Sequence, residues 1–214
     1  MRKEDFITIA SIQDALAAFE PEKLPDPDKV WQRASVAMIF AGPRDNPSLC
    51  FIKRADREGD RWSGQMAFPG GRASKEDADP IETAIRETSE EVGITLSTEQ
   101  VIGKLSEAPL HRHGSSFYGV LSPICFYIGE ERPTFVLEES EVALAFWIPI
   151  NQLFDHERRA TLDWEVDDGA RTLTFPGISH EGEIIWGLTY RVLEVFTERL
   201  GLHGVMIPLP KLDA

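Results

Sequence analysis

The chain has 214 residues, of which 42% are hydrophobic and 27% charged, an ordinary composition for one globular domain built on a single core. The formal net charge of -14 repels a phosphate backbone, so general nucleic-acid binding is not expected. No apolar run approaches membrane-spanning length. The N-terminus carries Glu4 and Asp5 early and lacks an apolar signal core, so the expectation is a cytoplasmic protein with no membrane partner.

Taken in order, residues 11–19 read as a short amphipathic helix, with Ile12, Leu16 and Phe19 near one face. A proline- and charge-rich connector follows over 20–29. Residues 34–40 and 49–52 read as paired strands joined by a turn rich in proline, glycine and asparagine. A further strand is expected over 64–68, stopped by Pro69-Gly70-Gly71. Residues 81–92 form the clearest helix. Asp79 precedes Pro80 as an N-cap, Ile81, Ala84, Ile85, Thr88 and Val92 recur at helical spacing, and Gly93 is placed to end it. Residues 101–105, 118–127 and 143–150 read as strands, 129–141 as a loop, and 184–200 as a second long helix. Strands and helices mix without a regular βαβ rhythm, which favours an α+β arrangement over a doubly wound sheet. Cys50 and Cys125 sit in apolar runs without C-x-x-C spacing and read as buried reduced thiols.

The chemistry concentrates in residues 70–94, GGRASKEDADPIETAIRETSEEVGI. Each helical residue turns about 100°, so Glu87, Glu90 and Glu91 are expected to crowd one face, opposite the apolar stripe. Three like charges that close repel and raise one another's pKa. A hard divalent cation reverses the sign by taking several oxygen ligands, and Mg²⁺ also binds substrate phosphates. Arg86, four residues before Glu90, is placed to pair with a carboxylate and hold its rotamer. An E-x-x-E-E run alone is the pattern of a solvated helix face. The glycine turn before it, the Arg-Glu pair and the terminating glycine favour the metal site.

This segment resembles the Nudix box, G-x5-E-x7-R-E-U-x-E-E-x-G-U with U bulky and apolar. Gly71, Arg86, Glu87, Glu90, Glu91, Gly93 and Ile94 match it. Asp77 stands where the first glutamate is expected, with eight residues rather than seven between it and Arg86, as a replacement partner for that arginine; Thr88 occupies an apolar position. Further segments resemble the coenzyme A diphosphatase branch: Gly64-Gln65-Met66-Ala67-Phe68-Pro69-Gly70-Gly71, the Thr83-Ala84 pair, and Ile185-Trp186-Gly187-Leu188-Thr189. The resemblance spans 34–200. Just upstream of Gly64 the chain departs from that branch, with Ala55 in place of a serine and Gly59-Asp60 in place of a Leu-Arg pair.

The resemblance implies an α+β Nudix fold, a mixed β-sheet sandwiched between α-helices. It divides the chain into an N-terminal helix and connector (1–30), the hydrolase domain (31–205) and a C-terminal tail (206–214). It implies hydrolysis of a phosphoanhydride bond in a nucleoside diphosphate derivative, coenzyme A or an acyl-coenzyme A foremost, by water attack on one phosphorus with Mg²⁺ or Mn²⁺. Glu87, Glu90, Glu91 and the Gly71 carbonyl are the implied metal ligands, and Arg86 is the implied supporting catalytic residue. The general base is either a box glutamate or one from a separate loop, where Glu141 is the candidate beside Glu138 and Glu139. Arg54, Arg61 and Arg72 are the candidate substrate-binding cations. Association of two copies is an expectation of the same kind. Two other roles stay open: hydrolysis of nucleotide sugars, ADP-ribose or dinucleotides, and a non-catalytic nucleotide-binding Nudix module. Such a module commonly loses box carboxylates, which this chain keeps. A plain acidic interaction domain is the third. The His111-Arg112-His113 run is expected to be a loop without a role.

Overall fold

The computed structural model describes residues 7–24, 32–60, 62–111, 117–166 and 171–209. Arg61, Arg112 and His113 therefore lie outside the described residues. The first helix, α1 (Ile9–Ala17), starts where Thr8 and Ser11 cap one another: Thr8 Oγ1 accepts from the Ser11 N–H at 3.1 Å and Ser11 Oγ from the Thr8 N–H at 2.9 Å. Ile9, Ile12 and Leu16 are buried.

The sheet is built on β1 (Gln32–Ala41), β2 (Ser48–Arg54), β3 (Met66–Ala67), β4 (Gly70–Arg72), β5 (Val101–Lys104), β6 (Ala108–His111), β7 (Phe117–Tyr127) and β8 (Val142–Pro149). Its main path runs β3-β2-β1-β7-β5; β4 pairs with β1, β6 with β7 and β8 with β2. β1 and β7 run parallel, from Gln32 against Gly119 to Phe40 against Tyr127, and the other ladders are antiparallel, so the sheet is mixed. β1 shows why helices cover both faces. Met38 and Phe40 enter one core with Phe51 of β2, α1, and Tyr190, Leu193 and Phe196 of α4 (Gly187–Arg199). Ala37 and Ile39, alternating with them, enter a second core with Cys50, Ile52, and Ala84 and Val92 of α2 (Pro80–Val92). The expected layered α+β arrangement is what forms. Cys50 and Cys125 are both free and buried.

Three expectations need correction. The helix expected over 184–200 starts only at Gly187; Ile184 and Ile185 belong to β11 (Glu183–Ile185), which pairs with β10 (Arg171–His180). That strand in turn pairs with β9 (Arg159–Val166) in a separate three-stranded sheet. Apolar residues alone do not separate a buried strand end from a first helical turn. The strand expected over 64–68 is reduced to β3, and a second short strand, β4, forms at Gly70–Arg72 where Pro69-Gly70-Gly71 was expected to stop it. Finally, residues 150–153 form one further helical turn, α3 (Ile150–Leu153), where a strand end was expected.

The bend at Gly70 is a close approach of two backbones. Gly70 has φ +151 and lies opposite Val36 of β1; a methyl there would come within 2.6 Å of the Val36 Cα. Gly70→Ala is expected to destabilise the fold by about 3 kcal/mol, from strain plus a backbone clash. Gly129, with φ +109 but nothing within 4 Å of an added methyl, is the control. Its alanine variant is expected to cost about 1 kcal/mol. Equal losses in urea denaturation would show that Gly70 matters through φ alone.

Candidate active site

α2 is positioned by its ends. Asp79 Oδ1 accepts from the N–H groups of Ile81 and Glu82 at 2.7 and 3.1 Å, Pro80 opens the helix, and Gly93 closes it at φ 69. Past the helix, the Val136 N–H donates to the Val92 carbonyl at 3.0 Å and the Glu138 N–H to the Glu91 carbonyl at 3.1 Å. These bonds satisfy carbonyls that a helix end leaves open. They also bring the 138–141 loop against the carboxylate-bearing turn of α2. The Ala55 N–H donates to the Glu141 carbonyl at 2.8 Å, which joins the segment after β2 to the same place.

Arg86 organises the outer side of this turn. Its Nε and Nη2 bind Asp77 at 3.1 and 3.0 Å, Nη2 also donates to the Arg72 carbonyl at 2.9 Å, and Nη1 reaches both Glu87 and Glu90 at 2.9 Å. All five guanidinium N–H groups thus have acceptors. Asp77 is the arginine's carboxylate partner, and its side chain is only 6% exposed. The hydrogen bonds from Arg86, assisted by the Ser74 N–H and the Thr83 hydroxyl, outweigh burial and hold Asp77 well below the usual carboxylate range.

The three helix glutamates do not share one solvent face. Glu91 is 2% exposed, and its Oε2 accepts from the Gly70 N–H at 2.8 Å. Glu87 lies against the glycine bend, where a methyl at Gly71 would overlap its carboxylate. Glu90 is 56% exposed and held by Arg86. Angular spacing places Cβ atoms only. The partner each side chain finds, an amide N–H for Glu91 and a guanidinium for Glu90, decides where its oxygens end.

Glu87 and Glu91 open into a cavity of about 650 Å³. Glu141 lines the same cavity, as do Arg54, Arg57, Asp60 and Arg72. Its apolar lining includes Val36, Trp62, Met66, Phe68, Leu121 and Leu188. Burial pushes Glu91 up to about 8, with the negative charges of Glu87 and Glu141 adding to it against the Gly70 N–H and Arg54. Burial likewise raises Glu87, again with help from Glu90 and Glu141 and against Arg86. Both shifts come first from burial of a charge, with the neighbouring carboxylates adding to it.

Among the described residues no three His, Cys, Asp or Glu side chains are gathered closely enough to form a ready cage for an ion. The donor set nonetheless fits one. Two carboxylates shielded from water face a cavity that Gly70 and Gly71 of the glycine bend also line, and hard oxygen donors of this kind suit Mg²⁺ or Mn²⁺.

Of the other residues singled out from sequence, Arg54 lines the cavity but is paired with Asp60 at 2.7 Å. Its Nε is buried with no acceptor among the described residues. Arg72 lines the cavity, and its exposed side chain has no hydrogen-bond or ion-pair partner among the described residues. Glu141 is paired with Arg57 Nη2 at 3.1 Å, while Arg57 Nε donates to the Ser140 carbonyl at 2.7 Å. Sequence reasoning missed Arg57, Trp62, Leu188 and Thr189 as cavity residues. Arg57 carried a signal in lying in the same short run as Arg54, and Leu188 and Thr189 in belonging to the Ile185-Trp186-Gly187-Leu188-Thr189 stretch; Trp62 carried none. Thr189 Oγ1 donates to the Met66 carbonyl at 3.0 Å, tying the start of α4 to the cavity rim. Trp147 is structural: it donates to the Pro133 carbonyl at 3.0 Å and stacks on Phe135.

An acid-lined cavity at the junction of a mixed sheet and a glycine-terminated helix defines a small-molecule site on an α+β scaffold. Comparison with known proteins gives that scaffold its family. The NUDIX domain pattern matches residues 31–168. The uncharacterized Nudix hydrolase NudL of Yersinia pestis (strain Pestoides F) is 33% identical over 196 residues, covering 84% of this chain and 90% of its own. The same figures hold for NudL of Yersinia pseudotuberculosis serotype O:1b (strain IP 31758). Among solved structures, the MutT/nudix family protein of Enterococcus faecalis aligns over 91% of this chain and 75% of its own, at 18% identity and a TM-score of 0.49. The chain belongs to the Nudix hydrolase family. Nudix hydrolases act on nucleoside diphosphate derivatives and in general use divalent metals. No helix among the described residues is long and apolar enough to cross a membrane.

Proposed function

We propose that this Nudix hydrolase cleaves the diphosphate of coenzyme A or an acyl-coenzyme A, giving 3',5'-ADP and a phosphopantetheine product. The observation that carries it is the mixed lining of the cavity. The acids Glu87, Glu91 and Glu141, near enough to interact with one another, share it with the apolar side chains of Val36, Trp62, Met66, Phe68, Leu121 and Leu188. A diphosphate at the acids leaves the apolar side chains for a long, largely apolar arm, which a pantetheine chain supplies and a hexose does not. This proposal extends the resemblance carried by residues 64–71 and 185–189, which line or flank the same cavity.

Glu87, Glu90 and Glu91, with the Gly71 carbonyl, would hold Mg²⁺ or Mn²⁺. The ion would neutralise phosphate charge and lower the pKa of the attacking water. Arg86 restrains Glu87 and Glu90 before the ion arrives, so their rotamers are limited rather than free. Glu141 is the proposed base that takes the proton from the attacking water as its oxygen bonds to phosphorus and the anhydride P–O bond breaks. Arg57 steadies it from the side. Among the described residues, Arg72 is the cavity-lining cation without an ion-pair partner, placed to meet a phosphate oxygen.

A second class of substrate is favoured by one observation. Arg54 is occupied by Asp60, where the coenzyme A branch carries an arginine. That pairing suits less anionic diphosphates such as ADP-ribose, nucleotide sugars or dinucleotides. The test is product analysis with Mg²⁺ or Mn²⁺ on coenzyme A, acetyl-coenzyme A, ADP-ribose, a UDP-sugar and a diadenosine polyphosphate. The pantetheine-bearing substrates are expected to give the highest kcat/KM. A tenfold preference for any other member would replace them, and silence on all five would leave a nucleotide-binding module.

A further inference from the structure

We propose that Asp60 is a specificity-determining residue that makes the site disfavour an additional phosphate monoester, so that the better substrate is an ADP-linked diphosphate whose ribose carries no phosphate. The inference rests on the pantetheine diphosphate reading above and refines it: among pantetheine-bearing diphosphates, the 3'-dephospho form is turned over better than coenzyme A itself.

The geometry supporting it lies in the turn between β2 and β3. Arg54 leaves the end of β2 and reaches the cavity, where Asp60 Oδ2 accepts from its Nη2 at 2.7 Å. The second Asp60 oxygen, Oδ1, accepts from the Trp62 N–H at 3.0 Å, so the carboxylate is fixed from two sides. Both partners are well shielded, with side-chain exposures of 26% for Arg54 and 20% for Asp60. The turn is itself closed by backbone bonds, from Asp60 N–H to the Arg57 carbonyl at 3.2 Å and from Ser63 N–H to the Asp60 carbonyl at 3.0 Å. Asp60 is thus held by its own backbone in the position from which it covers Arg54.

The neighbouring cation is covered in the same way, Arg57 by Glu141 at 3.1 Å. A ligand entering the cavity therefore meets two described arginines whose charge is already matched, together with Glu58, Glu87 and Glu91. Among the described residues, Arg72 is left to engage an anion. A dianionic phosphate monoester next to Asp60 would meet like charge, and taking Arg54 from Asp60 would leave that carboxylate shielded and unpaired. The buried Arg54 Nε without an acceptor shows unused donor capacity that the pairing does not exhaust. Removing the Asp60 charge would return Arg54 to the ligand.

The experiment compares coenzyme A with 3'-dephospho-coenzyme A as substrates, and 3',5'-ADP with 5'-AMP as ligands in calorimetry. The proteins are wild type, Asp60→Asn, Asp60→Ser, and Asp60→Asn combined with Arg54→Gln. Wild type is expected to prefer the dephospho substrate and 5'-AMP by about tenfold. Each Asp60 variant is expected to move both ratios about tenfold toward the extra phosphate, and Arg54→Gln to cancel that shift. Equal ratios in wild type and in an Asp60 variant that keeps its melting temperature would overturn the inference, whatever is hydrolysed. A shifted 3',5'-ADP to 5'-AMP ratio without hydrolysis of either coenzyme A form would sustain the selectivity and overturn the proposed reaction instead. Should both Asp60 variants fail to fold, a wild-type preference for 3',5'-ADP would still overturn it, and a wild-type preference for 5'-AMP would support it.

Discussion

Glu91→Gln is expected to lower kcat/KM by about 10³-fold, the loss of several kcal/mol of charge stabilisation at a metal-held phosphate. The substitution isolates charge from structure. A glutamine oxygen can still accept from the Gly70 N–H, which Glu91 Oε2 does at 2.8 Å, so the bend is retained. Burial of a neutral amide at a 2% exposed position also removes the desolvation that the carboxylate bears. The variant is therefore expected to fold at least as well as wild type without metal while losing turnover. Glu90→Gln is the informative companion, because Glu90 is exposed and held by Arg86 outside the cavity lining. A loss of about 10²-fold is expected there, from a carboxylate that leaves the guanidinium for the ion. Near-normal kcat/KM for Glu91→Gln in a steady-state assay would remove the proposed metal role.

Metal removal is expected to abolish turnover and to expose a pH-dependent weakness. Glu91 stands at about 8 in the fold, raised by burial and by Glu87 and Glu141, against a usual carboxylate value near 4.3 when unfolded. Below the unfolded value both states are protonated and the penalty is absent. As pH rises toward about 8, the unfolded chain gives up the proton while the folded one resists, so the unfolded state is favoured progressively. The metal-free melting temperature should fall between pH 5 and pH 8 by more in wild type than in Glu91→Gln. Saturating Mg²⁺ or Mn²⁺ should restore it most at pH 8, since an ion at 100 times its Kd adds about 2.7 kcal/mol. A melting temperature indifferent to both ions in a calorimetric scan would count against binding. Readdition of the ion should recover turnover fully.

Much of this architecture can be read along the chain, for local reasons. Asp79-Pro80 and Gly93 mark the ends of α2 because a cap, a preset φ and a left-handed terminator are each a short-range property. β1 and β2 follow from apolar residues bounded by turn chemistry. The three-stranded sheet of β9, β10 and β11 does not announce itself: Thr161, Asp163, Glu165 and Thr172 are polar, and its pairing, such as Phe175 against Leu162, is set between segments. The site divides along the same line. The identities of Arg86, Glu87 and Glu91 stand in a recognisable pattern, whereas the burial of Glu91 depends on the Gly70 N–H, 21 residues earlier. The pairing of Arg54 with Asp60 is close in sequence but depends on a turn whose course residue type does not dictate. Partner choice among several nearby charges is a matter of three-dimensional competition, and spacing alone cannot rank the competitors.

The parallel ladder between β1 and β7 also has a meaning for synthesis. Ser35 Oγ donates to the Ser122 carbonyl across a separation of 87 residues, and the whole ladder requires the chain as far as Tyr127. At elongation rates of about 5–20 residues per second, the β1 edge leaves the ribosome several seconds before its parallel neighbour. During that interval Met38, Ile39 and Phe40, each 0% exposed once folded, have no completed shelter. The early β1-β2 hairpin, closed by Phe40 against Leu49 and Ala41 against Ser48, covers only the opposite edge of β1, so the edge that awaits β7 stays open to another polypeptide until Tyr127 has been made.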